Sequence, residues 1–348
     1  MIRLLIVDDS ALMRRKLAGL FTEEGGFEVR LARNGAEAVA ENRSFQPDVV
    51  TLDINMPEMD GLESLACLMH ERPVPVIMFS SLTVKSALAT FEALALGAVD
   101  CVAKPGGTIS RDIESVEQEL LEKVRIAARA RPRVRTAAVS AREPRPPRAT
   151  PVAAPRHQAP GLVLVGVSTG GPSTLEDILP KLPAGFPWPI LIAQHMPASF
   201  TAPFAQRLNG VCQLPVQEVR QATALEPGNI YIARGDADVK VSRRGARLVA
   251  VPCPAQAQFL WHPSVELLGR SALEHCPAES LIGVMLTGMG HDGSQAFSDI
   301  HRRGGRTIAE AEETAVIFGM PAKLIEQDGA STVLPAGAIA RQLVDWTR

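Results

Sequence analysis

No segment of this chain has the ~20 consecutive apolar residues that a membrane-spanning helix needs; the longest apolar runs are strand-sized. Net charge is nearly absent too. The 36 Lys and Arg face 38 Asp and Glu, leaving −2, so no bulk field draws the chain to nucleic acid or to an anionic membrane. The five cysteines, Cys67, Cys101, Cys212, Cys253 and Cys276, form no Cys-x-x-Cys pair. An odd, dispersed set argues against a disulfide framework or a zinc site, and for reduced core thiols in a cytoplasmic protein. No signal peptide is expected, because the chain enters a strand at once and then meets Asp8 and Asp9. The second half offers no helix-turn-helix signature or basic recognition helix, which speaks against a DNA-binding output. What is there is ordinary folded composition, 46% apolar over 348 residues, with two domains the natural expectation.

The first 128 residues alternate strand and helix signals. Strands are expected at 3–7, 27–31, 48–52, 74–79 and 99–102. Helices are expected at 10–21, 36–42, 61–70 and 88–96, with a last one carrying the repeat Ile113, Val116, Leu120, Leu121, Val124. Such alternation predicts a parallel five-stranded sheet covered on both faces, with its site at the strand C-terminal ends. The polar residues fall at those ends: Asp8 and Asp9 after the first strand, Asp53 after the third, Ser80 after the fourth, Lys104-Pro105 after the fifth. Three carboxylates in one crevice repel one another and imply a cation, and an all-oxygen donor set points to Mg²⁺. A carboxylate beside that ion can attack a phosphoryl group, with a hydroxyl and an ammonium to neutralise the charged oxygens.

At these residues the chain resembles the flavodoxin-like receiver domain of two-component response regulators. The matching positions are Asp8-Asp9, Asp53 in LDINMPEMDG, Ser80 and Lys104-Pro105. The resemblance implies that Asp53 is the phospho-acceptor, charged by a histidine kinase. It also implies that Asp8, Asp9, Asp53 and the Asn55 carbonyl surround Mg²⁺. One departure is Cys101, three residues before Lys104, where such receivers usually carry an aromatic switch residue.

Periodicity then stops. The segment from about Arg129 to Pro160 is rich in Arg, Pro and Ala with a single acid, Glu143. It cannot bury enough apolar surface to fold alone and reads as a semi-rigid tether. We expect a receiver over 1–125, a linker over 126–160 and a second domain over 161–348.

The second domain alternates again and predicts a doubly wound, mostly parallel α/β fold. Strands are expected at 162–167, 190–194, 229–233 and 281–286, and a hairpin at 240–251. Helices are expected at 173–181, 199–208, 264–275, 294–303, 321–327 and 337–346. Ser168 lies in GVSTGGP after the first strand, His195 in QHMP after the second, and Asp292 in LTGMGHDG after the strand at 281–286. Loops that follow parallel strands gather at one sheet edge, so the three can meet. An imidazole oriented by a carboxylate can activate a serine hydroxyl. Backbone amides around Thr169, Gly170 and Met289 can hold an oxyanion. Taken singly the residues have blander readings: Ser168 as a turn residue, His195 as a hydrogen-bonded histidine, Asp292 as the cap of the helix starting near Ser294. The Gly166-x-Ser168-x-Gly170 pattern fits a nucleophile elbow or a phosphate-cradling turn. Its Ser…His…Asp order is not that of α/β-hydrolases. A dinucleotide site would want an acid where the chain has Gln194 and His195. His157, His262, His275 and His301 read as structural, Cys276 as packed, and Met285 and Met320 as core.

With GVSTGGP, QHMP, LTGMGHDG and AVIFGMP in place, the second half resembles the catalytic domain of the chemotaxis protein-glutamate methylesterases, the CheB family. The resemblance implies a phosphorylation-activated hydrolase that removes methyl groups from glutamate γ-methyl esters on chemoreceptor cytoplasmic helices and also deamidates receptor glutamines. Ser168 would be nucleophile, His195 general base and Asp292 its orienting acid, with Thr169 and Met289 helping at the oxyanion. It further implies a CheA-type kinase as phosphodonor, a cytoplasmic monomer without nucleic acid or membrane insertion, and no cofactor for the ester hydrolysis. An unphosphorylated receiver would obstruct the active-site edge. His291 stands where a smaller polar residue is expected, and Ala311 and Ala315 replace an acid and a serine. The alternative is a response regulator whose output binds a protein partner without catalysis.

Overall fold

A computed structural model describes residues 1–81, 83–104, 113–130 and 161–348. The chain divides into two compact units, 1–140 and 141–348. Pro105, His157 and the tether expected beyond 130 lie outside the described residues.

The first unit is built from β1 (Ile2–Val7), α1 (Ala11–Glu24), β2 (Phe27–Ala32), α2 (Gly35–Ser44), β3 (Val49–Asp53), α3 (Gly61–Glu71), β4 (Val76–Ser80), α4 (Val84–Leu96), β5 (Asp100–Ala103) and α5 (Ile113–Ala127). Its five strands are all parallel, in the order β2-β1-β3-β4-β5. Every residue of β3 and β4 is buried, as their unbroken apolar runs require of central strands covered on both faces. Side chains of Ser10, Asn34, Asp60 and Thr83 accept amides of the first helical turns. These caps fix where each loop leaves the sheet's C-terminal edge.

The second unit contains β6 (Leu162–Val167), α6 (Gly171–Ile178), β7 (Ile190–Gln194), α7 (Ala198–Val211), β8 (Val216–Val219), β9 (Thr223–Ala224), β10 (Ile230–Ala233), β11 (Ala237–Arg244), β12 (Arg247–Pro254), α8 (Val265–His275), β13 (Leu281–Met285), α9 (Ser294–Arg302), β14 (Arg306–Glu310), α10 (Met320–Glu326), β15 (Thr332–Leu334) and α11 (Ala336–Trp346). Seven strands form a parallel sheet in the order β15-β14-β13-β6-β7-β10-β8. The hairpin β11-β12 and the short β9 make a separate antiparallel sheet. The chain runs from β6 to one side through β7, then returns to lay β13 against the other side of β6. The loops after β6, β7 and β13 are therefore neighbours at the point where the winding reverses, the usual place for a site in such sheets.

Four strands fall outside the expected set: β8, β9, β14 and β15. β14 starts with Arg306 and ends with the buried Glu310, so it shows neither an apolar run nor an alternation. β9 and β15 are only two and three residues long.

Candidate active site

At the first unit's C-terminal sheet edge, the Lys104 ammonium lies 2.8 Å from Asp8 Oδ2 and 2.8 Å from Asp53 Oδ2. The Asp8 Oδ1 atom accepts the Ser10 amide at 2.9 Å, and Arg14 donates to the Asp8 and Asp9 carbonyls. Burial raises the Asp53 carboxyl above its ordinary range, and the charge of Asp8 adds to this; Lys104 and the Asn55 amide only partly offset them. Burial disfavours the charged Lys104, but Asp53 and Asp8 outweigh it and raise its pKa. Carboxylate oxygens of Asp8, Asp9 and Asp53 lie within 4.8 Å of one another. Three carboxylates against one ammonium leave excess negative charge on an all-oxygen donor set, which suits a hard divalent cation. Ser80 is buried at the end of β4, and its carbonyl accepts the Lys104 amide at 2.7 Å. The amide of Asn55 donates to Asp53 Oδ1 at 3.3 Å. Beside this group, the Cys101 carbonyl accepts Lys123 Nζ at 2.8 Å, and Lys123 pairs with Asp100 and Glu119. Burial, reinforced by Asp100, pushes the Cys101 thiol up to about 12.

In the second unit, the register pairs Val167 of β6 with Gln194 of β7. Ser168 and His195 are thus the next residues of adjacent parallel strands, joined by the His195 amide donating to the Val167 carbonyl at 3.1 Å. From the other side, the Ser168 amide donates to the Thr287 carbonyl beyond β13 at 2.9 Å. The turn after Ser168 needs glycine at Gly170, where φ is +78° and a Cβ would lie 2.5 Å from that of Val316. Pro172 then opens α6.

Asp292 is 5% exposed and faces the start of α8, not of α9. Its Oδ1 accepts the Ser264 hydroxyl at 3.1 Å and the Glu266 amide at 3.0 Å. Its Oδ2 accepts the Val265 amide at 2.7 Å and His195 Nε2 at 2.9 Å. The capping alternative fails because α9 is capped by Gly293 without a side-chain bond. Burial alone would raise the Asp292 carboxyl; the His195 hydrogen bond and charge, with the Glu266 and Val265 amides, overcome it and hold the pKa below the ordinary value.

A carboxylate on Nε2 holds the proton there and leaves Nδ1 as the basic nitrogen. Among the described residues, His195 Nδ1 is buried with no hydrogen-bond partner. Ser168 is 7% exposed, and no hydrogen bond joins its hydroxyl to another described residue. The amides of Thr169, Gly170 and Met289 likewise meet no acceptor among the described residues. Gly288 lets the β13 loop press on the serine: a Cβ there would lie 2.7 Å from Ser168 Cβ.

Sequence reasoning missed several neighbours. The Trp261 ring lies parallel to His195 with centroids 6.0 Å apart, and the His291 edge meets it at 5.5 Å. Thr287 and Glu310, both fully buried, brace the Ser168 loop. Trp261 sits in an aperiodic loop and gave no signal, whereas Ser264 fell at the start of the helix expected over 264–275 and caps α8 by accepting the Leu267 amide. His262, read as structural, bonds the buried Asp238 through Nδ1 at 2.9 Å.

The comparisons follow this division. The family model described as CheB methylesterase matches residues 163–343, and that of the response regulator receiver domain matches 4–111. A protein from Rhodospirillum rubrum named protein-glutamate methylesterase/protein-glutamine glutaminase 3 is 54% identical over 99% of this chain and 96% of its own length. A Vibrio cholerae protein with the same name is 46% identical, covering 93% and 91%. The crystal structure of the Thermotoga maritima CheB methylesterase catalytic domain superposes with a TM-score of 0.52 at 37% identity, over 54% of this chain and 99% of that one. The chain belongs to the CheB protein-glutamate methylesterase family, with a receiver domain preceding the methylesterase domain.

Proposed function

We propose that this chain is a phosphorylation-activated serine hydrolase that demethylates glutamate γ-methyl esters on chemoreceptor cytoplasmic helices and deamidates receptor glutamines. The observation that carries the reading is the His195 ring. Its Nε2 is fixed on Asp292 at 2.9 Å, and its Nδ1, at the end of the strand beside Ser168, is buried and has no partner among the described residues. Ser168 Oγ attacks the ester carbonyl carbon while its proton passes to His195 Nδ1. Asp292 stabilises the resulting imidazolium. The tetrahedral oxyanion is held by backbone amides of Thr169 and Met289, with Gly170 beside them. As the intermediate collapses, the C–O bond to methoxide breaks and His195 returns the proton, releasing methanol. Water, deprotonated by His195, then frees the carboxylate from Ser168. With a glutamine side chain, ammonia leaves in place of methanol.

In the receiver domain, Asp53 is the phospho-acceptor, with Ser80 and Lys104 facing the phosphoryl oxygens. Asp8, Asp9, Asp53 and the Asn55 carbonyl would hold Mg²⁺, whose chemistry is neutralisation of the transferred group's charge. A CheA-type histidine kinase is the phosphodonor, and the site of action is the cytoplasm, where receptor helices and kinase meet. No helix among the described residues is long and apolar enough to cross a membrane. Domain limits of 1–125 and 161–348, with 126–160 as linker and the chain monomeric, complete the reading.

The test is methanol release from methyl-esterified receptor membranes. Ser168→Ala should give none above background while its unfolding transition stays that of the parent. Persistent release by the folded variant would remove the nucleophile. A small-molecule phosphodonor with Mg²⁺ should raise turnover in the parent and not in Asp53→Ala.

A further inference from the structure

The two peptide planes after Ser168 are each gripped on the carbonyl side by a buried side chain. The Ser168 carbonyl accepts Gln194 Nε2 at 2.9 Å, together with the Gly171 amide at 2.8 Å. The Thr169 carbonyl accepts the Thr287 hydroxyl at 2.9 Å. In a trans peptide the C=O and N–H point to opposite sides of one plane. Fixing the Ser168 carbonyl therefore aims the Thr169 amide, and fixing the Thr169 carbonyl aims the Gly170 amide. These are two of the amides that meet no acceptor among the described residues.

Thr287 is itself held, and Gln194 bridges two carbonyls with one NH₂ group. Thr287 Oγ1 accepts the Ile317 amide at 2.9 Å; its single proton has two acceptors in reach, the Thr169 carbonyl at 2.9 Å and the Ile317 carbonyl at 3.3 Å, and the shorter contact is the one to Thr169. The Thr287 amide donates to Glu310 Oε2 at 2.8 Å, and Glu310 Oε1 accepts the Thr314 hydroxyl at 3.0 Å. Gln194 Nε2 also reaches the His195 carbonyl at 3.1 Å, which ties the clamp to the strand end that carries the base. Thr287 and Gln194 are 0% and 2% exposed, so no solvent competes for either bond.

We propose that Thr287 and Gln194 are positioning residues for the oxyanion site, acting through the Gly170 and Thr169 amides. This rests on the serine-hydrolase reading above. A group that aims donors at charge present only in the transition state affects turnover and leaves substrate binding alone.

Thr287→Val keeps the volume and deletes the hydroxyl; Thr287→Ser keeps the hydroxyl. In methanol release from methylated receptor membranes, Thr287→Val should lose about tenfold to a hundredfold in kcat with KM within about twofold, and Thr287→Ser should stay within about threefold of the parent. Gln194→Met should show the same kcat-selective loss through the neighbouring plane. Parental kcat in folded Thr287→Val, or an equal loss in Thr287→Ser, would overturn the proposal. If Thr287→Val does not fold, Gln194→Met decides alone, and parental kcat there overturns it. Ser168→Ala in the same assay separates the two readings, since its turnover tests the nucleophile and not the clamp.

Discussion

Replacing Asp292 by asparagine removes one acceptor oxygen from a group that uses two. The carboxylate takes four donors: the Ser264 hydroxyl and Glu266 amide on Oδ1, the Val265 amide and His195 Nε2 on Oδ2. Whichever way an asparagine amide is turned, its NH₂ faces a backbone N–H at the start of α8. One buried donor left unpaired costs about 1–3 kcal/mol. Loss of the anion at a helix N-terminus adds about 0.3–2 kcal/mol. Together they predict about 1–5 kcal/mol of destabilisation in urea unfolding at pH 7. In the orientation that keeps Oδ1 for Ser264 and Glu266, the NH₂ meets Nε2 and drives the proton to Nδ1, abolishing the base. The template for a wrong-tautomer triad is a loss of ~10⁴ in kcat. The pH dependence has a definite sign. Because the Asp292 carboxyl is held below its ordinary value, its charge-linked stability is present above the ordinary carboxylate range and lost as pH falls through the lowered one. The stability gap between parent and Asp292→Asn should therefore narrow below about pH 4. A turnover loss under about tenfold, or a gap constant from pH 7 to pH 3, would refute the assignment of Asp292 to His195.

Two further outcomes are expected. Gly288→Ala would set a methyl 2.7 Å from Ser168 Cβ and 2.5 Å from Met320 Sδ; displacing the nucleophile by even a fraction of an ångström should lower kcat by about tenfold or more, and parental turnover would show that the loop yields instead. Burial moves the Cys101 thiol from 9.0 to about 12, which cuts its thiolate fraction roughly a thousandfold at pH 8; alkylation followed by mass spectrometry should find it protected in the folded chain and reactive in urea, and equal rates in both would contradict that burial.

The sequence showed the polar residues at strand ends because sheet edges concentrate them there and the βα alternation is periodic. Ser168, His195 and Asp292 could thus be placed on one rim before any geometry. What could not be read was how Asp292 is held. Its partners Ser264, Val265 and Glu266 are about 26–28 positions away and are chosen by packing of α8 against α9, whereas local spacing suggested a cap on α9. Trp261 was invisible for a similar reason: an aromatic in an aperiodic loop acquires meaning only when the fold lays it on His195. Glu310 actively misled, since a charged residue inside β14 hides the strand whose end it marks. The strand was missing from the expected set, and the Thr287 brace that Glu310 supports was missed with it.

The face the histidine presents has a practical consequence for chemical probes. Where a serine hydrolase relies on the outer ring nitrogen, an electrophile tethered to a substrate mimic is built to reach that far edge. Here the far edge is engaged by Asp292, and the nitrogen without a partner among the described residues is the one nearer the main chain. On the mechanism proposed above, a histidine-alkylating warhead built for that outer nitrogen meets one already bonded to Asp292 at 2.9 Å.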